Sequence, residues 1–202
     1  MILNEVYEKT LEHFRKKGFT SPRLETDLLL SSALNWDRIK IYTNLDYPLE
    51  KQEVERCREY IRRRINDEPL AYICGYKYFY KSRFKVNNSV LIPRPDSELL
   101  VEEAIERLDK RAPITILDLG AGSGCLGLSL LQEFSQARLI AVDNSNAAIE
   151  VLKENATDLK LNSRCESINV DLAKEAPDIN YDNVKLVVSN PPYIEEGDEE
   201  VG

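Results

Sequence analysis

The sequence predicts an α/β domain with a parallel sheet, preceded by a small all-α domain. After about Ser97, short apolar runs typical of buried strands alternate with helical patterns, which favours a parallel sheet with right-handed crossovers. Residues 4–66 have helical apolar spacing. A glycine-rich turn joins the first apolar run to a helix, where open α/β sheets build ligand sites. We therefore predict a helical domain at 1–70, a hairpin linker at 71–90 and an α/β domain at 91–202.

The helical domain is predicted from apolar stripes. Residues at helical spacing form three sets: Val6, Leu11 and Phe14; Leu24, Leu28, Leu29 and Ala33; and Val54, Cys57, Ile61 and Ile65. Ser21 followed by Pro22 predicts the start of the second helix, because proline fits the first helical turn and serine can cap it. The pattern predicts three or so short helices.

The elements of the second domain follow in order. Residues 72–86 are rich in aromatic side chains with some alternation, which predicts a β-hairpin. A helix is predicted over 99–108. Four apolar runs predict strands at Thr115 to Leu119, Arg138 to Val142, Glu166 to Val170 and Val184 to Ser189, with helices at Cys125 to Glu133 and Ala147 to Lys160.

Composition excludes several classes of protein. The 202 residues suffice for one full domain and a small one. No window approaches the roughly 18 apolar residues of a membrane span, and the amino terminus lacks a basic segment ahead of an apolar one, so we expect a cytoplasmic protein. The four cysteines are widely spaced and His13 is the single histidine, so we expect neither a metal site nor a disulfide framework.

The charge balance bears on partners. A net charge of −8 makes nucleic acid an improbable main partner, because proteins that bind polyphosphate usually carry a basic face. Two local basic clusters occur, Arg62 to Arg64, and Lys77, Lys81, Arg83 and Lys85. We interpret them as solvated faces of a helix and a hairpin; the alternative is a docking surface for an acidic partner.

The turn Asp118-Leu119-Gly120-Ala121-Gly122-Ser123-Gly124 is typical of a site for a nucleotide-like cofactor. Gly120 and Gly122 let the backbone turn tightly and approach the ligand, and we expect Gly124 to let the following helix pack near the strand. Residues 122–127 also fit the GxGxxG pattern, which dinucleotide dehydrogenases share. Asp118, two residues before the first glycine, favours a nucleotide-like cofactor other than the dinucleotide of those dehydrogenases.

Acidic residues end the next two strands. Asp143 is expected to accept hydrogen bonds from ribose hydroxyls; the alternative is a cap on the helix that starts near Ala147. Asp171 is expected to reach an adenine amino group while Leu172 covers the ring; the alternative is an ordinary turn at the strand end.

Asn190-Pro191-Pro192-Tyr193 follows the last strand and offers acceptors for an NH2 group. The oxygen of the Asn190 side chain and the Pro191 carbonyl could accept both N–H bonds of a planar amine, because prolines have fixed φ and no N–H of their own. Tyr193 could stack on a flat substrate group. The alternative is a stiff turn.

Together these motifs resemble release factor glutamine methyltransferases, the HemK/PrmC family. The likeness includes Ile92-Pro93-Arg94-Pro95-Asp96-Ser97-Glu98, residues 68–75, the glycine turn and Asn190 to Tyr193, behind a helical domain. It implies a Rossmann-like class I fold and methyl transfer from S-adenosylmethionine to the glutamine amide of the Gly-Gly-Gln motif of peptide chain release factors. The helical domain would help to recognise that protein partner.

The resemblance also implies residue roles. Gly120, Ala121, Gly122, Ser123, Gly124, Asp143, Asp171, Leu172 and Asn190 would hold the cofactor, and Asn190, Pro191, Pro192 and Tyr193 the glutamine, with Asn190, Pro191 and Tyr193 catalytic. Arg94 and Pro95 would border the cofactor entrance; the alternative is a rigid interdomain turn.

Two other functions remain open, and the sheet is expected to be incomplete. Asn-Pro-Pro-Tyr alone also fits adenine N6 methyltransferases of nucleic acid. The resemblance implies a sheet of seven strands, whereas four are predicted here. It also implies that these four lie in the order third, second, first, fourth, so Val184 to Ser189 is expected at an edge of the sheet. A truncated, non-catalytic fragment that binds the cofactor is therefore the other alternative.

Overall fold

The computed structural model describes residues 1–191, and the chain divides into two compact units at Gly75 and Tyr76. The first unit is helical. Its elements are α1 (Leu3–Lys16), α2 (Pro22–Leu34), α3 (Arg38–Thr43), α4 (Lys51–Ile65) and α5 (Leu70–Cys74). The helical character of this unit agrees with the prediction, although α3 and α5 are additional to the helices predicted from the three apolar stripes.

Helix α2 packs against each of the other helices of the first unit. Its buried face contains Leu29, Leu30 and Ala33. Leu24 was expected on this stripe, but its side chain is 43% exposed. That expectation was wrong because the buried face of α2 begins at Thr26 and Asp27, one turn after the start of the helix.

The buried face of α2 contains one charged residue, Asp27. Its carboxylate accepts hydrogen bonds from the hydroxyls of Tyr7 (2.8 Å) and Tyr42 (2.6 Å) and from the Arg38 guanidinium (3.0 Å). A buried carboxylate is tolerated when its oxygens are satisfied in this way. The three bonds tie α1, α2 and α3 together, and burial beside Asp27 raises the pKa of Tyr7.

Two local expectations in the first unit were incorrect. Helix α2 begins at Pro22 as predicted, but the Ser21 side chain makes no capping hydrogen bond. Residues 72–74, expected in the hairpin, lie in helix α5, which is followed by Gly75 with φ of +78°. The physical reason is packing, because Ile73 is buried with Phe14 and Leu29 and a helix directs it there.

The second unit contains the hairpin and the α/β elements. They are β1 (Tyr76–Phe79), β2 (Ser82–Lys85), α6 (Glu98–Arg107), β3 (Thr115–Leu119), α7 (Cys125–Glu133), β4 (Arg138–Asp143), α8 (Asn146–Asp158), β5 (Cys165–Asn169) and β6 (Val184–Ser189). A short 3₁₀ turn, Pro95–Ser97, precedes α6.

The sheet has the predicted parallel arrangement. Its order is β5-β4-β3-β6, with Leu117 of β3 paired between Ile140 and Val187. The observed bounds of β3 and β6 equal the predicted ones, and β4 and β5 differ from them by one residue. Within residues 1–191, β6 pairs only with β3. The parallel order brings the carboxyl ends of all four strands to one side.

The core of the second unit lies between the sheet and its helices. Helix α7 is buried from Leu126 to Leu131, and Phe79 and Phe84 of the hairpin pack into the same cluster. Asn155 of α8 anchors the end of β2 by accepting a hydrogen bond from the Lys85 N–H (2.7 Å) and donating one to its carbonyl (3.1 Å). The hairpin is thus part of this core.

The basic clusters are largely paired. Arg62, Arg63 and Arg64 form ion pairs with Glu59, Glu68 and Glu25. Lys81 pairs with Glu133, and Lys85 with Glu154 and Asp158. These contacts favour a structural role over a free basic surface. In the part of the chain that the structure describes, no helix is long and apolar enough to cross a membrane.

Candidate functional site

A cavity of about 490 Å³ opens at the carboxyl ends of the four parallel strands. Parallel α/β sheets bind ligands at this edge because the loops that follow the strands converge there. Most of the residues expected to hold a cofactor line it, namely Gly120, Gly122, Asp143, Asp171, Leu172 and Asn190. A smaller space of about 40 Å³ beside it is lined by Ala121, Ser123 and Asn190, together with Ser97 and Asp118.

The glycine turn is fixed to the neighbouring strand through its backbone. The N–H groups of Gly120 and Ala121 both donate to the carbonyl of Val142, at 2.8 and 3.0 Å. Gly120 and Gly122 have φ of +69° and +53°, and a Cβ built on either would meet no atom within 4 Å. Their backbone therefore faces open space, as a close approach of a ligand requires.

The glycine that allows close helix packing differs from the expected one. A Cβ on Gly124 would lie 2.8 Å from Leu152 of α8, so Gly124 permits contact between helices. A Cβ on Gly127 would lie 2.7 Å from Asp118 Oδ2 in β3 and 2.8 Å from Leu139 in β4. Gly127, not Gly124, is therefore the residue that lets α7 approach the sheet.

Asp118 lies beneath the glycine turn. Its Oδ2 accepts a hydrogen bond of 2.9 Å from the Gly127 N–H in the first turn of α7. Burial raises the pKa of Asp118 to about 7, although the Gly127 bond acts in the opposite direction. Asp118 thus connects β3 to the helix that follows the turn.

Asp143 connects the glycine turn to the start of α8. Its Oδ2 accepts from the Gly122 N–H (2.8 Å) and its Oδ1 from the Ser145 N–H (2.9 Å). The alternative role as a cap of α8 belongs to Ser145, whose Oγ accepts from the Ala148 N–H at 3.2 Å. A carboxylate has about four acceptor positions, so Asp143 retains two for further donors.

Asp171 lies in a turn at the strand end, which was the alternative interpretation, and its role toward an adenine stays a prediction. Asp171 forms a turn, since Oδ1 accepts from the Ala173 N–H (3.0 Å), and its Oδ2 pairs with Lys174 (2.8 Å). The hydrogen bond from Lys174 lowers the pKa of Asp171. Both residues also line the larger cavity, where the Leu172 side chain is 42% exposed. An exposed leucine on a cavity wall provides an apolar surface for a ring.

Asn190 lies directly after β6, at the rim of both cavities. The end of β6 is fixed because Ser189 Oγ donates to the Leu119 carbonyl at 2.8 Å. The Asn190 side chain donates from Nδ2 to Ser97 Oγ at 2.8 Å. Pro191 is exposed, while Pro192 and Tyr193 lie outside the described residues.

Several contributors have no clear signal in the sequence. Asn155 is 1% exposed, and its Nδ2 donates to the Ser123 carbonyl at 2.9 Å, which ties the glycine turn to α8. Ser89, Val90 and Leu91 line the larger cavity, and Leu91, Ile92 and Pro93 the smaller one. The segment that was expected to border the site through Arg94 and Pro95 thus lines it through the residues just before them.

A third cavity, of about 530 Å³, lies at the amino ends of the strands, beside Thr115, Arg138 and Cys165. Among the charged residues that line it, Arg164 already donates to the carbonyls of Leu131, Phe134 and Ala137. The glycine turn and the strand-end carboxylates lie at the opposite end of the sheet. We therefore assign the site to the carboxyl edge.

Comparisons with known proteins identify the family of the chain. A family model described as PrmC N-terminal domain matches residues 5–75, and one described as Methyltransferase small domain matches residues 95–201. The chain is similar to the release factor glutamine methyltransferases of Rhodopirellula baltica (38% identity over 196 residues), Geobacter sulfurreducens (39% over 196) and Chlorobaculum tepidum (36% over 200).

These alignments cover 95%, 97% and 96% of this chain, and 65%, 66% and 68% of the respective relatives. The chain therefore spans about two thirds of the length of the curated relatives that it matches.

Proposed function

This chain belongs to the family of release factor glutamine methyltransferases, and we propose that its protein methylates a glutamine side-chain amide with S-adenosylmethionine as methyl donor. The proposed acceptor is the glutamine of the Gly-Gly-Gln motif in a peptide chain release factor. The observation that carries the proposal is the position of Asn190 at the rim of a cavity with an open glycine turn, with its Nδ2 bound to Ser97 and no hydrogen bond to its Oδ1 from residues 1–191.

The cavity fits the proposed cofactor in three respects. Gly120 and Gly122 leave space where a Cβ would project, so the backbone can approach a ligand closely. Asp143 is held by two backbone N–H groups and keeps two acceptor positions that suit ribose hydroxyls. Leu172 offers an apolar wall for an adenine ring, and Asp171 lies beside it.

The described residues also suit the acceptor chemistry. S-adenosylmethionine, when bound, supplies a methyl group that is already activated, so the protein mainly has to orient the attacking nitrogen. The amide nitrogen is a poor nucleophile because its lone pair is delocalised into the carbonyl. Acceptors on both N–H bonds direct that lone pair, and Asn190 Oδ1 and the Pro191 carbonyl are the proposed acceptors.

The buried carboxylate of Asp118 is not proposed as a general base. Asp118 is fully buried beneath the turn and already accepts the Gly127 N–H, so its role is to hold the turn. Methyl transfer needs no base before the nitrogen attacks, which is consistent with the absence of histidine around Asn190 in the sequence.

The proposal extends to the helical unit and to the compartment. We infer that the domain at 1–70 contributes to recognition of the release factor, with 71–90 as a linker and 91–202 as the transferring domain. Release factors act in translation, so the proposed reaction is cytoplasmic. The acidic net charge of −8 favours a protein partner over a nucleic acid.

The test is a methyl transfer assay of the full-length protein with radiolabelled S-adenosylmethionine. Three substrates are compared: a release factor, the same factor with its Gly-Gly-Gln glutamine changed to alanine, and duplex DNA. We expect label only on the first, and a loss of at least about 100-fold in kcat for Asn190→Ala with little change in cofactor affinity.

Each other outcome has a defined meaning. Label on adenine in DNA would replace the proposal by the adenine N6 reaction, which the same Asn-Pro pair could serve. An unchanged kcat in Asn190→Ala would remove this residue from the mechanism. Binding of the cofactor without transfer to any of the three substrates would support a non-catalytic role.

A further inference from the structure

We infer that Ser97 is a positioning residue that holds the carboxamide of Asn190 with its oxygen toward the acceptor amide, an inference that rests on the proposed function. The two residues are separated by 93 positions in the sequence, and the Asn190 Nδ2 lies 2.8 Å from Ser97 Oγ. Both line the small space beside the glycine turn. Ser97 is therefore placed to act on the site through Asn190.

Ser97 has an unusual local position. It precedes the first residue of α6, where serine side chains commonly accept an N–H of the first turn. Here the Ser97 hydroxyl makes no such cap bond, and its own N–H donates to the Arg94 carbonyl at 3.1 Å. The hydroxyl that could stabilise the helix is instead directed to Asn190.

The chemical reason for such a contact is the two-ended nature of a carboxamide. One end accepts hydrogen bonds and the other donates them, and a rotation of 180° exchanges them. A glutamine NH2 group presents donors, so it needs the oxygen end of Asn190. A partner that occupies Nδ2 fixes the plane of the side chain and leaves Oδ1 for the substrate.

The core of the second unit fixes the position of Ser97 and therefore of its contact with Asn190. Its side chain is 7% exposed, and its backbone belongs to the turn Pro95–Ser97, which continues directly into α6. Val101 and Ala104 of α6 are buried in the core of the second unit. The position of Ser97 Oγ is thus set by the core rather than by the loop that carries Asn190.

Three variants of the full-length protein test the inference: Ser97→Ala, Ser97→Thr and, as a matched control, the exposed Ser135→Ala. The kcat on release factor is measured together with the KM for S-adenosylmethionine, the affinity for S-adenosylhomocysteine and the melting temperature. Because Ser97 caps no helix N–H, we expect Ser97→Ala to melt close to the wild type.

We expect Ser97→Ala to lower kcat by about 10- to 100-fold, since misorientation of a substrate-positioning group costs up to this much. The KM for the methyl donor should change by less than about twofold. Ser97→Thr retains the hydroxyl and should recover most of kcat, and Ser135→Ala should match the wild type.

A kcat of Ser97→Ala equal to that of the wild type overturns the inference while leaving the proposed function intact. Equal losses in kcat and in cofactor affinity would also overturn it, because they indicate a general disturbance of the site. Should Ser97→Thr fail to fold, the kcat of Ser97→Ala decides alone. A wild-type protein without transfer activity would instead refute the proposed function.

Discussion

The carboxylate of Asp118 and the backbone N–H of Gly127 form a buried hydrogen bond of 2.9 Å that joins β3 to the first turn of α7. The contact exists because Gly127 lacks a side chain, since a Cβ there would lie 2.7 Å from the same carboxylate oxygen. The short approach places the amino end of α7 directly over the strand. The glycine turn between them is thereby held at the edge of the sheet.

The first prediction concerns the pH dependence of stability. Burial raises the pKa of Asp118 from its ordinary value of about 4 to about 7. The folded state therefore keeps this proton at pH values where the unfolded state has lost it. Its contribution to the free energy of unfolding is fully present below about pH 4 and is lost as pH rises to about 7.

Asp118→Asn should remove this dependence while retaining an acceptor for Gly127. We expect its free energy of unfolding to improve relative to the wild type by up to roughly 4 kcal/mol between pH 4 and pH 7. Urea denaturation of both proteins at several pH values measures the difference. A constant difference across this range would show that Asp118 titrates normally.

A second prediction uses Gly122→Ala with Gly18→Ala as its control. Both glycines have positive φ, +53° and +78°, and a Cβ on either would meet no atom within 4 Å. The backbone strain of alanine should therefore lower stability similarly, by about 1–2 kcal/mol. Only Gly122 lines the cavity, so only its variant should bind S-adenosylhomocysteine at least about tenfold more weakly.

Calorimetric titration of both variants provides the measurement. Equal affinities in Gly122→Ala and Gly18→Ala would place the ligand elsewhere.

The third prediction concerns Asp143. Asp143→Ala removes the acceptor shared by Gly122 and Ser145 and the two positions proposed for ribose hydroxyls. Hydrogen bonds to a charged acceptor contribute about 1.5–3 kcal/mol each, so we expect affinity for S-adenosylhomocysteine to fall by at least about 10-fold. Asp143→Asn, which keeps one acceptor, should lie between. Identical titration curves for all three proteins would refute the role.

The fourth prediction concerns Asn155, whose buried carboxamide connects Lys85 at the end of the hairpin with Ser123 in the glycine turn. Asn155→Ala would leave three backbone groups without these partners. We expect a loss of about 3 kcal/mol in the free energy of unfolding, whereas the exposed Asn162→Ala should lose less than about 0.5 kcal/mol. Similar denaturation midpoints for the two variants would contradict this.

Much of the fold was predictable because its signals are local. The apolar run Val184–Ser189 and the glycine turn after Leu119 each specify a strand or a turn within a few residues. The alternation of such elements predicted a parallel sheet, and the family resemblance implied the strand order; the structure confirms both. Residues 72–74 were predicted incorrectly because the side chain of Ile73 packs in a helical core, an effect that their β-like composition does not reveal.

The features of the candidate site also divide into those that the sequence predicted and those that only the structure revealed. The sequence alone determined which residues follow the strands, so Gly120, Gly122, Asp143, Asp171 and Asn190 were predicted to converge, and they line one cavity. Only the tertiary structure decided what holds them. Gly127 rather than Gly124 lets α7 pack closely on the sheet. Asn155 donates a hydrogen bond to the glycine turn, and Ser97 accepts one from Asn190, 93 positions away in the sequence. Such contacts depend on the distance between elements, which is set by packing of the whole domain and leaves no periodic signal in the chain.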